Sequence, residues 1–539
     1  MAVLLVYSEK RSFLLRNLLL SLDEDETLLP RRIAERFSLS PADVTSLRIV
    51  RKGIDARKKS QIRHVYTVSF DVADPEGFWR RFGGERDLEL LQAALPTIFT
   101  PVESRGRIII VGSGPAGLFA AIRLSEYGLR PILIERGRMV DDRVRDVSRF
   151  WQSGELDEES NIQFGEGGAG TFSDGKLTTR VRDPNAGYVL SRLVEFGAPE
   201  EIAWSSKPHV GSDRLREVVA NIRRFLLSRG VEVRFGARLS DLRTASGRLT
   251  AVVVNDSDEL PCDRLVLAPG HSARDTYAML HERGVPLEAK PFAVGFRVEH
   301  PQELINRIQY GIPSHPRLPP ADYALTYNDG ASGRSAYSFC MCPGGVVVAS
   351  SSESCGVVTN GMSNLARNTL WANSALVATV RLEDFPGDSP LAGVHFQRRL
   401  EQRAFTLGGG DYRAPAQSLI SFLGRGRGGE IRSTYSPGVR EADLAELFPA
   451  PLVTTLREGI ASFEGKMRGF ITAEATLVGV ESRTSSPLRI PRGEDLQSVG
   501  VSGLYPCGEG GGHAGGIMSA ALDGIRVADA VAAQERNGV

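Results

Sequence analysis

Short unbroken apolar runs, each ending in a turn, recur along this chain and predict buried parallel strands. They are Ile108–Val111 before Gly112, Ile132–Ile134 before Glu135, Leu265–Ala268 before Pro269-Gly270, and Gly503-Leu504-Tyr505 before a glycine-rich turn. Three- and four-residue spacing predicts helices over Leu118–Tyr127, closed by Gly128, and over Ser519–Glu535. A third helix runs to Arg229 on Leu215, Val218, Val219, Ile222 and Leu226, with Ser212 as its cap and Gly230 as its stop. Between these lie strands Val231–Phe235, Leu239–Arg243 and Leu249–Asn255, a meander turning at Ala245-Ser246-Gly247.

The first hundred residues read as a separate module. Val3-Leu4-Leu5-Val6 predicts a first strand, not a signal peptide, because no basic segment precedes it. Ser40 caps a helix with Pro41 at its first position, and Leu47–Val50 is extended. His64–Val72 alternates strictly, with Val65, Thr67 and Ser69 opposite Tyr66, Val68 and Phe70. Beyond residue 290 the texture changes. Strands Phe292–Val298 and Gly345–Ser350 alternate with proline-rich Pro313–Pro320, and a polar helix is expected near Ser363–Val380.

These elements predict an α/β protein. A Rossmann-like domain with a βαβ unit in a parallel central sheet takes residues 101–290 and returns over 496–539. An α+β substrate domain is inserted at 291–495, and a small α+β domain fills 1–100. Pro101–Gly106 is the linker between the first two.

Lys and Arg total 65, as do Asp and Glu, so the chain is neutral and does not look like a dedicated nucleic-acid or membrane-surface binder. A basic stretch, Arg48, Arg51, Lys52, Arg57, Lys58, Lys59 and Arg63, reads as a solvated hairpin loop, or as a docking surface for RNA or another anion. No apolar run reaches the ~20 residues of a membrane span. Five cysteines, an odd and sparse set, suggest reduced thiols and a cytoplasmic home. Cys340-x-Cys342 has no partner pair, so a metal site is not expected.

The chemistry gathers at the glycines. In Gly112-Ser113-Gly114-Pro115-Ala116-Gly117, Gly112 permits the tight turn, Gly114 lets backbone approach a pyrophosphate, and Gly117 lets helix pack on strand. The pyrophosphate would lie at the helix N-terminus, where free N–H groups and the dipole favour an anion. Glu135, with Arg136 beside it, stands about 20 residues on, where an acid accepts ribose hydroxyls. Two later stretches resemble flavoprotein motifs and select FAD: Leu265–Gly270, and Gly508-Glu509 followed by Gly515-Gly516-Ile517. In the second, an acid meets the ribityl or pyrophosphate part and a helix N-terminus faces the flavin, stabilising charge that develops on reduction. Gly165–Gly170 matches the glycine fingerprint by letters, but no strand precedes it. It is read instead as a polar loop whose Gly168 and Lys176 line the flavin pocket.

Taken together, Lys52–Lys59, Gly165–Lys176, Gly270–Thr276, Ser338–Gly345, Val480–Pro487 and Gly503–Gly524 resemble the uncharacterised FAD-dependent dehydrogenase family of the glutathione-reductase-like flavoproteins. The resemblance implies FAD and an oxidoreductase passing a hydride between bound FAD and an unidentified small molecule. It departs at His513, where an aromatic is expected and where an imidazole could donate a hydrogen bond or a proton. His271 and His513 are the candidate bases; Lys176 and Arg180 could hold an anionic substrate or the flavin. Arg483-Thr484-Ser485-Ser486 could bind a carboxylate or phosphate, or cap a loop. Only one dinucleotide unit is present, so NAD(P)H would dock without a fold of its own, or another acceptor would serve. A flavin monooxygenase-like hydroxylase and an FAD-binding, tRNA-modification-like protein are the competing readings.

Overall fold

The computed structural model describes residues 11–91 and 99–537; the expected strand at Val3–Val6 lies outside them. The chain divides into two compact units, one of residues 1–98, 199–208 and 315–317, the other of the remainder.

The first unit is an antiparallel four-stranded sheet in the order Thr45–Asp55, Arg63–Asp71, Ser12–Ser21, Leu88–Leu91. With helices Leu29–Phe37 and Pro75–Phe82 it has the chain order βαββαβ. Both helices bury one face on the sheet around Phe13, Phe37, Phe70 and Phe78, with the Phe13 and Phe78 rings 4.7 Å apart. Ser40 does accept from a backbone N–H, but Pro41–Asp43 is a single 3-10 turn, because Val44 is already extended. The basic stretch is not a loop throughout. Arg48, Arg51 and Lys52 lie within a strand, Lys52 pairs with Glu26 at 2.5 Å, and Arg57 pairs with Asp55 at 2.6 Å. Those pairs remove part of the positive field an RNA would need.

The second unit holds the parallel sheet. Its strands, in chain order, are β1 (Ile108–Val111), β2 (Ile132–Ile134), β3 (Glu232–Arg234), β4 (Arg264–Leu267) and β5 (Leu504–Pro506). They lie side by side as β5-β4-β1-β2-β3, all parallel. Helix α1 (Pro115–Glu126) follows β1, and α2 (Val140–Ser153) follows β2. The last helix, α3 (Ile517–Asn537), packs on α1 so closely that a Cβ on Gly524 would stand 2.1 Å from the Ala116 carbonyl oxygen. A three-stranded antiparallel meander, Leu239–Ala245, Arg248–Val254 and Asp258–Pro261, precedes β4.

A second sheet of seven strands is built from residues between 292 and 481. At its centre Phe292–Pro301 pairs with Trp371–Val380 along ten residues and with Thr476–Glu481 on the other side. The helix expected near Ser363–Val380 is therefore not formed. Trp-Ala-Asn-Ser-Ala-Leu-Val-Ala-Thr-Val has no charged face for solvent, and strands on both flanks bury nearly all of it. Ser212 is likewise inside its helix, Ser212–Ser228; Gly211 precedes it, and the hydroxyl donates to Asn364 at 3.0 Å instead of capping.

Candidate functional site

Glycine turns from four distant segments meet at the C-terminal edge of the parallel sheet, where such sheets place their ligands. Gly112 follows β1 at φ +94°, and a Cβ there would stand 2.2 Å from the carbonyl oxygen of Ala268, just after β4. A Cβ on Gly117 would stand 1.9 Å from the Gly112 oxygen, so the helix lies hard against the turn. A Cβ on Gly510 would come 2.8 Å from the Gly270 nitrogen, and one on Gly508 would come 2.7 Å from the Ala116 Cβ. A Cβ on Gly168, in the fourth segment, would come 2.9 Å from the Gly114 Cα, so each corner touches another.

Other glycines in these corners open onto space. A Cβ on Gly114 would find nothing nearer than the Gly168 Cα at 3.8 Å, and one on Gly270, Gly515 or Gly516 would find nothing within 4 Å. Helix α1 starts after Gly114 with no side chain capping it, and Pro115 takes its first position, where a missing N–H costs nothing.

Glu135, at the end of β2, is buried and fully engaged. Its Oε2 accepts from the Ser113 N–H and hydroxyl, both at 2.8 Å, and its Oε1 accepts from the N–H groups of Gly137 and Gly165, both at 2.9 Å. A carboxylate has about four acceptor sites, so this one ties the β1 turn, the β2 end and the Gly165 loop into one corner. Arg143 of α2 holds the same loop from beneath. Its fully buried guanidinium donates to the carbonyls of Asn161, Ile162, Gly165, Glu166 and Gly168 at 2.7–3.3 Å. The loop has no strand before it and continues into the single turn Ala169–Phe172. Gly168 lies against Gly114, and Gly170 lies against Ile517 at the start of α3.

Among the titratable candidates, His271 and Glu509 face each other, Nδ1 to Oε1, at 3.9 Å. Burial, with Arg483 and Arg274 nearby, pushes the His271 pKa down to about 3, and its Nε2 is buried without a hydrogen-bond partner. Burial pushes the Glu509 carboxyl up to about 7. His513 is turned elsewhere: its Nε2 meets the Ile490 carbonyl oxygen at 3.1 Å, and burial lowers its pKa to about 4. The Lys176 ammonium donates to the Met341 carbonyl, and Arg180 is exposed. Arg136 pairs with Glu159 at 2.7 Å and Asp275 at 2.9 Å, with its guanidinium 4.1 Å from the Phe164 ring centroid.

Behind His271 lies an ion network with no local signal in the sequence. Glu401 sits between Arg274 (2.7 Å) and Arg483 (2.9 Å), all three buried, and Glu353 pairs with Arg274 at 2.7 Å and with Arg398 at 2.7 Å. Arg483 is therefore committed to Glu401. Thr484 donates to the Ala293 carbonyl at 2.8 Å and Ser486 to that of Leu488 at 2.8 Å, so these hydroxyls brace the loop.

The corner has the properties a flavin dinucleotide requires: an uncapped helix start beside an open-faced glycine for the pyrophosphate, an acid with a raised pKa, and open glycines ahead of a second helix. Among the described residues no helix is long and apolar enough to cross a membrane, and no cluster of three or more His, Cys, Asp or Glu could hold a metal.

Family-model matches agree with an FAD-binding domain here. Residues 105–146 match the FAD binding domain family, and residues 291–484 match the C-terminal domain-like family of FAD-dependent proteins. Residues 15–71 match a domain of unknown function. An uncharacterised protein of Clostridium beijerinckii is 47% identical over 526 residues, covering 96% of this chain and 97% of the relative. Among solved structures the chain is similar to FqzB at 15% identity and a TM-score of 0.36, over 83% of this chain and 79% of that one. It is similar to the FAD complex of a Bacillus halodurans glycerol-3-phosphate dehydrogenase at 12% identity and a TM-score of 0.35, over 81% and 66% of the two chains.

Proposed function

Since this chain belongs to the uncharacterised family of FAD-dependent proteins, we propose that it is an oxidoreductase passing a hydride between a small organic substrate and FAD. The observation that carries this reading is the meeting of the four glycine corners, closed towards one another and open on one side. FAD when bound supplies a two-electron, hydride-accepting and hydride-donating ring that no side chain provides.

The chain's residues have separable tasks. Gly114 and the first-turn N–H groups of Ala116 and Gly117 hold the pyrophosphate, with Gly168 across from them. Glu135 orders the corner of the adenosine ribose, and Arg136 flanks it. Glu509 takes a ribityl hydroxyl or a proton at its Oε1. A carboxyl balanced near pH 7 can both give and accept one, whereas His271, held neutral, stands beside it at 3.9 Å. The N-terminus of α3, behind Gly515 and Gly516, favours negative charge on the reduced ring. The seven-stranded sheet of residues 292–481 supplies the substrate side, with Lys176 at the junction through its bond to Met341.

The test is direct. Purified protein is expected to be yellow and to release FAD on denaturation. Its visible band should bleach anaerobically with one class among alcohols, amines and NAD(P)H. A colourless protein that ignores added FAD would overturn the reading. Pyridine-nucleotide consumption that requires oxygen would replace it with a hydroxylase.

A further inference from the structure

The last strand of the seven-stranded sheet, Val439–Glu441, borders a cavity of about 440 Å³, a size that suits a small molecule. Helix Ala392–Gly408 and the single turn Leu444–Leu447 complete its walls. None of the glycine corners is among them.

The walls carry both signs of charge. Arg403 comes from the helix and Arg440 from the strand, while Glu441, Asp443 and Glu446 come from the strand end and the turn. Among the described residues, Arg403, Arg440, Glu441 and Glu446 make no ion pair and no side-chain hydrogen bond, and Asp443 gives one oxygen to the Ala445 N–H at 3.0 Å. Elsewhere on the surface an arginine two residues from an acid pairs with it: Arg413 with Asp411 at 2.9 Å, Arg432 with Glu430 at 2.7 Å, Arg234 with Glu232 at 2.7 Å. In the cavity, five groups of opposite sign line one space and do not meet, because helix, strand and turn hold their stems apart.

The helix end shows where one guanidinium is held. Gly409 closes the helix at φ +112°, and a Cβ there would stand 3.1 Å from an Arg413 guanidinium nitrogen and 3.2 Å from one of Arg440. Arg413 has its acid, whereas Arg440 reaches the same turn without one. The helix C-terminus offers these cations only a fraction of a charge, so a carboxylate from solution finds a guanidinium that no side chain has taken. Two positive and three negative groups leave the walls with one negative charge. A complementary ligand therefore carries one carboxylate and two cations.

We propose that this cavity binds a free dibasic amino acid, of the lysine, ornithine or arginine class. Its α-carboxylate meets Arg403 and Arg440, and its two cations meet Glu441, Asp443 and Glu446. Leu407 and Ala442, the apolar part of the lining, receive its methylene stem. The site stands apart from the flavin reading and needs no FAD.

Isothermal titration of the whole protein, as purified and at physiological salt, compares three ligands. L-lysine has every group required, L-leucine lacks the second cation, and 1,5-diaminopentane lacks the carboxylate. One L-lysine is expected per chain, with the other two about tenfold weaker. Arg440→Gln should remove the advantage of L-lysine over the diamine, and Glu441→Gln should shrink its advantage over L-leucine. Both side chains are exposed, so the melting temperature should not move. Arg403→Gln and Glu446→Gln repeat the two tests should either variant fold poorly. Absence of heat from L-lysine at about 10 mM, equal binding of all three ligands, or L-lysine binding that no variant weakens overturns the proposal.

Discussion

Glu135 takes both hydrogens that Ser113 can offer, the backbone N–H and the hydroxyl, on a single oxygen at 2.8 Å each. The other oxygen takes two more backbone donors. Glu135→Gln replaces one acceptor oxygen with an NH2 group that faces N–H donors. About 1–3 kcal/mol of stability should be lost, together with most of the retained flavin. Thermal unfolding and the visible absorbance after gel filtration check both parts.

Two glycines in the same turn should respond in opposite ways. Gly114 has an ordinary φ of −72° and open space before it, so Gly114→Ala is expected to fold with nearly unchanged melting temperature and to bind flavin at least tenfold more weakly. In Gly117→Ala the new methyl would stand 1.9 Å from the Gly112 oxygen, and the protein should fail to fold. Flavin titration of the first variant and soluble yield of the second provide the comparison. Equal damage in both would show that the open side of Gly114 has no ligand.

Arg143 donates to five carbonyls; those of Gly165, Glu166 and Gly168 also accept from Gly168 or Thr171, whereas those of Asn161 and Ile162 lean on the guanidinium. Lysine has three hydrogens and a different reach, so Arg143→Lys leaves buried carbonyls unpaired and should cost roughly 3 kcal/mol. Denaturant unfolding measures the loss. Faster proteolysis within 161–170 in the folded variant would locate it in the loop.

The pH dependence of stability has a definite sign at His271. Its folded pKa, about 3, lies below the ordinary 6.5, so the unfolded chain takes the proton first as pH falls. The stability contributed by the neutral ring is whole above about pH 6.5 and is lost as pH descends towards 3. The difference in unfolding free energy between the native chain and His271→Gln should shrink by roughly 3 kcal/mol between about pH 7 and about pH 4. A constant difference would place the imidazole in contact with water.

What could be read from the sequence was whatever short-range sterics dictate. Gly112 and Gly117 declare themselves because a methyl at either position would strike backbone within the same turn or its neighbour. The apolar runs declare β1 and β4 because both faces are covered. What escaped depends on partners far along the chain. Glu401 meets Arg274 across 127 residues and Arg483 across 82, and nothing near any of them marks the pairing. Arg143 follows Asp141 and Asp142 and reads as one more charge on a solvated helix, although it is fully buried. Trp371–Val380 lacked a decisive period because its small and apolar residues suit any buried element; neighbouring strands chose for it.

Strand β4 is flanked by β1 on one side and by β5 on the other, so the sheet that carries the glycine corners has an edge supplied only after residue 503. On the ribosome, the early turn at Gly112 must therefore wait for more than four hundred further residues before α3 arrives to cover Ala116. Contacts of such long sequence separation form slowly, so cofactor capture belongs to the last stage of biosynthesis, and chains stalled before that point would be released without the means to keep it.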